Sequence, residues 1–146
     1  MKKALFIGRF QPFHLGHLSA LTQIAEEHII IGVGSSQYSD MEKNPFSFEE
    51  RQSMINATLP KDKKTYDILA IPDIHDPDNW VAHVETLVGK VDVIYTGNDT
   101  TKALFEQADY DVKISKYDID ISGTRLRHFL KKNNSEYKKY IPAENI

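Results

Sequence analysis

Short apolar runs alternate with stretches of helical period along the chain, and this alternation constrains the fold more than any other feature. Five runs have the length of strands, and they cover residues 3–8, 29–34, 66–71, 91–97 and 110–115. Between them, apolar residues recur three or four positions apart, as on one face of a helix. Strands that alternate with helices predict an α/β fold with a doubly wound parallel sheet and right-handed crossovers.

Residues typical of helix starts support this order of elements. "SFEE" at 47–50 has the pattern of a capping box and predicts a helix that runs to about residue 59. Asp78 is the predicted N-cap of the third helix, in which Val81, Val84 and Val88 share a face. A short helix is expected near 100–108 and another from Ser122, followed by a terminal helical turn or tail.

Composition narrows the class of protein. The 146 residues predict one domain over 1–146, and the absence of cysteine excludes a disulfide framework or a thiolate zinc cluster. A net charge of −3 argues against bulk electrostatic binding to nucleic acid. No apolar stretch approaches membrane-spanning length, so we expect a cytoplasmic protein that does not bind membranes.

The loops that follow the five predicted strands have unusual composition. They read "GRFQPFHLGH", "GSSQYSD", "IPDIHDPDNW", "TGND" and "DISGTRLR". In a doubly wound sheet these loops share the carboxyl edge, where ligands bind near the topological switch point. The four arginines of the chain lie in three short segments, as Arg9, Arg51 and the pair Arg125 and Arg127. Arginine suits bidentate phosphate recognition, so this edge is a predicted phosphate site.

Two common nucleotide-binding classes do not fit. The first strand-to-helix turn lacks the three glycines of a dinucleotide fingerprint, which disfavours hydride transfer. The Gly-Lys-Ser/Thr of a P-loop is absent from the sequence.

His14 and His17 are the most distinctive pair of this edge. Three readings stay open from the residues alone: two zinc ligands on one helical face, two half-buried capping histidines, or two donors to an anion at a helix N-terminus. In the anion-donor reading, Gly16 lets the backbone approach the ligand closely. "SGTRLR" repeats the pattern, with Ser122 and Thr124 as caps and with one of Arg125 and Arg127 expected to face solvent.

These motifs resemble a known family. "HLGH" and "ISGTRLR" are similar to the two signatures of the HxGH nucleotidyltransferase superfamily, which has a Rossmann-like fold. "GRFQPFHLGHL", "KNPFSFEER", "DNW" and "YTGN" together resemble the archaeal-type nicotinamide-nucleotide adenylyltransferases. In the second signature Gly123 stands where the broader superfamily has a hydroxyl residue, as it does in that subgroup.

The resemblance implies transfer of the adenylyl group of ATP, with Mg²⁺, to nicotinamide mononucleotide and also to nicotinic acid mononucleotide. It implies a homo-oligomer and catalytic roles for His14, His17 and Arg127, with His17 nearest the α-phosphate. The residues implied to bind ATP are Gly8, Arg9, Phe10, Gly16, Gly97, Asn98, Ser122, Thr124 and Arg127. Those implied to bind the mononucleotide are Trp80, which would stack on the nicotinamide ring, Arg51 and Asn79. No residue is predicted as a metal ligand.

The residue chemistry is consistent with this reading. A phosphate nucleophile is already ionised, so the reaction does not need a strong base. Positioning of the reactants and stabilisation of charge carry the rate instead, and His17 is expected to act as an electrostatic donor. Two kinds of alternative stay open. In the first, the protein catalyses the same kind of transfer to a different acceptor, namely FMN, phosphopantetheine or a cytidylyl-transfer substrate. In the second, it binds a nucleotide as a sensor without turnover.

Overall fold

The computed structural model describes residues 2–115 and 122–145, and a five-stranded parallel sheet forms its centre. The strands are β1 (Lys3–Gly8), β2 (His28–Gly34), β3 (Thr65–Ile71), β4 (Val93–Thr96) and β5 (Val112–Ile114). Their order in the sheet is β3-β2-β1-β4-β5, so the direction of winding reverses between β1 and β4. This confirms the predicted doubly wound sheet and places its switch point beside β1.

The described residues form five α-helices, of which four connect the strands and the fifth follows β5. They are α1 (Leu15–Thr22), α2 (Phe48–Asn56), α3 (Pro77–Val88), α4 (Asp99–Gln107) and α5 (Gly123–Lys131), and two short 3₁₀ turns follow at Ser135–Lys139 and Ala143–Asn145. None of the described helices has the length and apolar character needed to cross a membrane.

Both faces of the sheet are buried, which explains the nearly continuous apolar sequence of its strands. Along β1, Ala4 and Phe6 belong to one core cluster, whereas Leu5 and Ile7 belong to the other. This alternation follows from the two-residue period of a strand. The first cluster includes residues of α1 and α2, and the second includes residues of α3 and α4.

A third, smaller cluster holds the C-terminal segment that follows α5 against that helix. Leu126 and Ile141 are buried in it, with Phe129, Tyr137 and Tyr140 packed around them. The carbonyl of Tyr140 accepts a 2.7 Å hydrogen bond from the amide of Leu15 at the start of α1. Because this C-terminal segment also packs on α5, it links α5 to the start of α1.

Several predicted boundaries are wrong. Strand β4 begins at Val93 rather than residue 91, and β5 covers only three residues of the predicted 110–115. The capping box of α2 is confirmed, since Ser47 and Glu50 accept each other's backbone amides, but the helix ends at Asn56. Residues 120 and 121 of the predicted loop "DISGTRLR" lie outside the described residues.

Asp78 is not the N-cap of α3. Asp76 occupies that position without a side-chain capping bond, and Pro77 is the first helical residue. The fixed φ of proline is already helical and its missing N–H needs no partner there, so the helix starts earlier than predicted. The Asp76 carboxylate instead accepts a 2.6 Å hydrogen bond from the side chain of Asn79.

Candidate active site

The loop between β1 and α1 is anchored to the segment before α2. Phe10 is 1 % exposed and has a left-handed backbone with φ of 53°, which is uncommon for a bulky residue. Next to it, the Gln11 side-chain amide donates to the carbonyl of Phe46 and accepts from its amide, both at 2.9 Å. Sequence reasoning missed Gln11, which fixes this loop at the edge of the sheet.

His14 and His17 cap the start of α1 reciprocally. His14 Nδ1 accepts from the amide of His17 at 3.2 Å, and His17 Nδ1 accepts from the amide of His14 at 3.1 Å. The two rings stack with centroids 3.6 Å apart. Because each Nδ1 is an acceptor, each neutral ring carries its proton on Nε2 and presents an N–H donor there.

Burial keeps both rings neutral. It lowers the pKa of His14 to about 4, and burial together with the nearby His14 lowers the pKa of His17 well below its usual value. A neutral ring with Nδ1 engaged and Nε2 protonated has no lone pair left for a proton or a metal ion. This geometry therefore favours donation to an anion over the zinc-ligand reading, and no group of three or more metal-ligating side chains occurs within residues 2–115 and 122–145.

Arg51, a predicted mononucleotide-binding residue, is buried among the loops that follow β1 and β2. Its side chain is 0 % exposed and its guanidinium donates to five backbone carbonyls. These belong to Ser47 at 3.1 Å, Arg9 at 3.0 Å, Gly34 at 2.8 Å, Ser35 at 3.2 Å and Tyr38 at 3.5 Å. Since a guanidinium has five N–H donors, no donor remains for a phosphate. Arg51 instead ties together the loops that follow β1 and β2.

Arg127 faces the carboxyl edge of the sheet, whereas Arg125 does not. Arg127 Nη1 donates to the carbonyl of Gln11 at 2.7 Å, and Nη2 donates to Thr124 Oγ1 at 3.2 Å. Arg125 lies over the rings of Phe129 and Tyr140, 5.5 and 5.4 Å from their centroids. The structure thus shows which of the two arginines faces the carboxyl edge, a question that the sequence left open.

Gly123 permits this position of Arg127. A Cβ atom at Gly123 would lie 2.9 Å from Arg127 Nη1 and 3.3 Å from the carbonyl oxygen of Gln11. Any larger residue would push the guanidinium away from the loop, which gives a physical reason for glycine at this position of the motif.

A cavity of about 400 Å³, here called the central cavity, lies at the switch point between β1 and β4. The predicted site residues that line it are Gly8, Arg9, Phe10, His17, Gly97, Asn98, Thr124 and Arg127. His14 and Gly16 are buried and do not line it. Ser122 caps α5 by accepting from the amide of Arg125 and is exposed outside the wall.

The central cavity has the electrostatics of an anion site. The N-terminal turns of α1, α4 and α5 all contribute to its wall, so three helix dipoles favour negative charge there. Burial and the neighbouring Arg9 lower the pKa of Arg127, as expected for two cations held close together. Within residues 2–115 and 122–145, no carboxylate lines the cavity and neither arginine forms an ion pair. Its positive charge is uncompensated in the described part of the protein.

Trp80 lies in a second cavity on the same edge of the sheet, here called the Trp80 cavity. This cavity measures about 460 Å³, and its wall includes Trp80, His75 and Thr100. The indole is half-buried and meets the ring of Phe105 edge to face at 5.4 Å, so it also packs on the core. Thr100 is two residues from Asn98 in the central cavity, which makes the two cavities neighbours across the first turn of α4.

Hydrogen bonds between loops stiffen the wall of the Trp80 cavity. Ser35 Oγ donates to the carboxylate of Asp73 at 2.7 Å, and the Tyr38 hydroxyl and His75 Nε2 lie 2.6 Å apart. Asn79 does not line either cavity and holds Asp76 instead. Trp80 is therefore the predicted mononucleotide residue that the structure brings to the edge of the sheet.

The fold and the cationic cavity at its switch point define the chain as a Rossmann-like nucleotidyltransferase. The family model described as cytidylyltransferase-like matches residues 5–129. A nicotinamide-nucleotide adenylyltransferase of Methanococcus aeolicus is 43 % identical over 144 residues, which cover 96 % of this chain and 83 % of that protein. Another, from Pyrococcus furiosus, is 40 % identical over 87 % of this chain and 72 % of its own length. The chain belongs to the cytidylyltransferase-like family and, within it, to the nicotinamide-nucleotide adenylyltransferases.

A solved structure agrees with this assignment. The bifunctional NMN adenylyltransferase/ADP ribose pyrophosphatase of Francisella tularensis, complexed with AMP and a manganese ion, superposes with a TM-score of 0.76 at 26 % identity. The match covers 96 % of this chain and 44 % of the bifunctional one. The resemblance read from the motifs is thereby confirmed at the level of family and fold.

Proposed function

We propose that this chain transfers the adenylyl group of ATP to nicotinamide mononucleotide, forming NAD and releasing pyrophosphate. The observation that carries the proposal is the central cavity, where Arg9, Arg127 and three helix N-termini meet without a carboxylate from the described part of the chain. Such a site suits a triphosphate, and the relatives at 40 and 43 % identity are named for this activity.

The donors of the cavity match the charge changes of adenylyl transfer. A phosphate oxygen of the mononucleotide attacks the α-phosphorus of ATP, the bond to the β-phosphate oxygen breaks, and pyrophosphate leaves with the electron pair. The nucleophile is already ionised, so no side chain has to remove a proton. His17 Nε2–H donates to an α-phosphate oxygen, and Arg127, Thr124 and Arg9 hold the remaining phosphates.

The divalent cation of the reaction is Mg²⁺ carried by the nucleotide. The Francisella tularensis neighbour contains a manganese ion together with AMP. Among the described residues, the wall of the central cavity offers cations, hydroxyls and amides but no carboxylate, the side chain that most often holds Mg²⁺ in proteins. The triphosphate oxygens therefore hold the cation, which neutralises charge on the leaving group when bound.

The acceptor ring is assigned to the Trp80 cavity. The nicotinamide ring of the mononucleotide is a cationic pyridinium, and an indole face attracts such a ring by both dispersion and charge. The nearness of the two cavities allows the phosphate of the acceptor to reach the α-phosphate of ATP. Nicotinic acid mononucleotide shares the ring and is proposed as a second acceptor.

The experiment is a panel of acceptors. The purified protein is incubated with ATP, Mg²⁺ and one of nicotinamide mononucleotide, nicotinic acid mononucleotide, FMN or phosphopantetheine, and pyrophosphate and the adenylylated product are measured. CTP replaces ATP in a parallel set. We expect turnover of ATP with nicotinamide mononucleotide; no turnover with either pyridine mononucleotide would refute the proposal, and binding without turnover would favour a sensor.

We propose a cytoplasmic homo-oligomer that binds neither nucleic acid nor membranes, and the net charge of −3 is consistent with the absence of nucleic-acid binding. Light scattering tests the oligomer, cell fractionation tests the compartment, and a gel-shift assay tests nucleic-acid binding.

A further inference from the structure

A second cationic cavity adjoins the central cavity on the outer side of α5. It measures about 1090 Å³, and its walls are formed by residues of segment 41–46 and of segment 127–132, together with Arg9 and Thr124. We call it the outer groove. Arg9, Thr124 and Arg127 line both the central cavity and the outer groove, so the two spaces adjoin at these side chains.

The outer groove concentrates positive charge in a chain that is acidic as a whole. Its cationic lining residues are Arg9, Lys43, Arg127, Lys131 and Lys132. Against these five, the described lining of the groove contains one carboxylate, that of Glu42, while the net charge of the chain is −3. Such a local excess attracts anions and raises their concentration at the mouth of the cavity.

The one carboxylate does little to neutralise this charge. Glu42 Oε1 lies 3.4 Å from Lys131 Nζ, and the two side chains are 82 % and 69 % exposed. Exposed pairs of this kind contribute little and open readily, so Lys131 is available to an incoming anion. Lys43 and Lys132 are also exposed at the groove.

The proposed reaction supplies one anion at this junction. Breaking the bond between the α-phosphorus and the β-phosphate oxygen frees a highly charged pyrophosphate beside Arg9 and Arg127, while the adenylyl group stays bound to the mononucleotide. We propose that the outer groove binds this pyrophosphate and passes it to solvent, with Lys43, Lys131 and Lys132 as its cationic contacts beyond the central cavity. The inference rests on the proposed function and assigns a product path to it.

The reverse reaction isolates this step, because pyrophosphate is then a substrate whose KM can be measured separately from that of NAD. The test variant is K43A/K131A/K132A. The matched control is K61A/K63A/K90A, which removes the same charge from three exposed lysines that do not line either the outer groove or the central cavity. We expect the KM for pyrophosphate to rise about tenfold or more in the test variant, since each exposed cation contributes a few-fold to anion binding.

Several outcomes decide the inference. Two results together support a site for the leaving group alone. The KM for NAD should stay within about twofold of the wild type in the test variant, and the control variant should match the wild type, as expected for charges that act locally. An equal rise in both KM values, or no difference between test and control variants, overturns the inference. Inhibition by inorganic phosphate as strong as that by pyrophosphate overturns it too, because the groove would then be a general anion site. A wild-type protein that makes no NAD from ATP and nicotinamide mononucleotide would instead refute the proposed function.

Discussion

Replacing Arg51 by methionine tests whether this residue is structural, as its contacts indicate. The methionine fills similar space without any donor. The five carbonyls that lose their partner belong to the loops after β1 and β2 and to the start of α2. Leaving one buried acceptor unpaired costs about 1–3 kcal/mol. Two effects offset part of the summed loss from the five carbonyls: the loops relax, and the variant no longer has to bury a cation. We therefore expect the free energy of unfolding to fall by about 3–5 kcal/mol.

Urea unfolding followed by circular dichroism measures this loss. With a slope of about 2 kcal/mol per molar urea, the expected midpoint shift is about 1.5–2.5 M. Arg51→Lys keeps a cation with three donors and should lose less. Arg125→Met is the control, because an exposed arginine over aromatic rings contributes about 1 kcal/mol or less. If Arg51→Met retained wild-type stability while the KM for nicotinamide mononucleotide rose, the structural reading would be wrong and the role predicted from sequence would return.

The other predictions concern the two histidines, the α5 motif and Trp80. His17→Ala should lower kcat by roughly two to four orders of magnitude with the fold retained by circular dichroism, the scale for a lost preorganised donor; an undiminished rate would rule the role out. Because burial holds the pKa of His14 and His17 below that of free histidine, the unfolded chain binds more protons below about pH 6.5, and the free energy of unfolding should fall as pH decreases from 6.5 towards 4. In urea titrations His14→Asn, which can still cap α1, should reduce that slope, and an unchanged slope would exclude His14 as its source. Gly123→Ala should raise the KM for ATP about tenfold by displacing Arg127, while a KM equal to that of the wild type would show that the guanidinium is not needed where it lies. Trp80→Ala should raise the KM for nicotinamide mononucleotide about tenfold and leave the KM for ATP unchanged, with Trp80→Phe as the packing control, and equal effects on both KM values would indicate a core role alone.

The sheet and its edge were predictable because they depend on patterns that are local in sequence. The apolar runs are long enough for buried strands, and a parallel sheet brings every loop after a strand to one edge. The start of α3 depended on a finer local signal, since Pro77 at the first helical position competes with Asp78 as a cap.

Arg51 shows what sequence reasoning could not reach. A lone arginine near other arginines indicates a phosphate contact only if its side chain points to the ligand, and that direction depends on how α2 packs. One signal was present: Ile55 is fully buried and lies four residues after Arg51, on the same face of the helix. The pairing of Gln11 with Phe46 spans 35 positions and has no local signature.

The reciprocal cap of α1 has a consequence for proton traffic. Each histidine must keep Nδ1 unprotonated to hold the amide of the other, so protonation of either ring would break a hydrogen bond that starts the helix. Folding therefore sets the protonation state of both rings before any nucleotide arrives. We therefore expect neither ring to take up a proton when ATP binds near neutral pH. In calorimetry, these rings should then make no contribution to the binding enthalpy that depends on the ionisation enthalpy of the buffer.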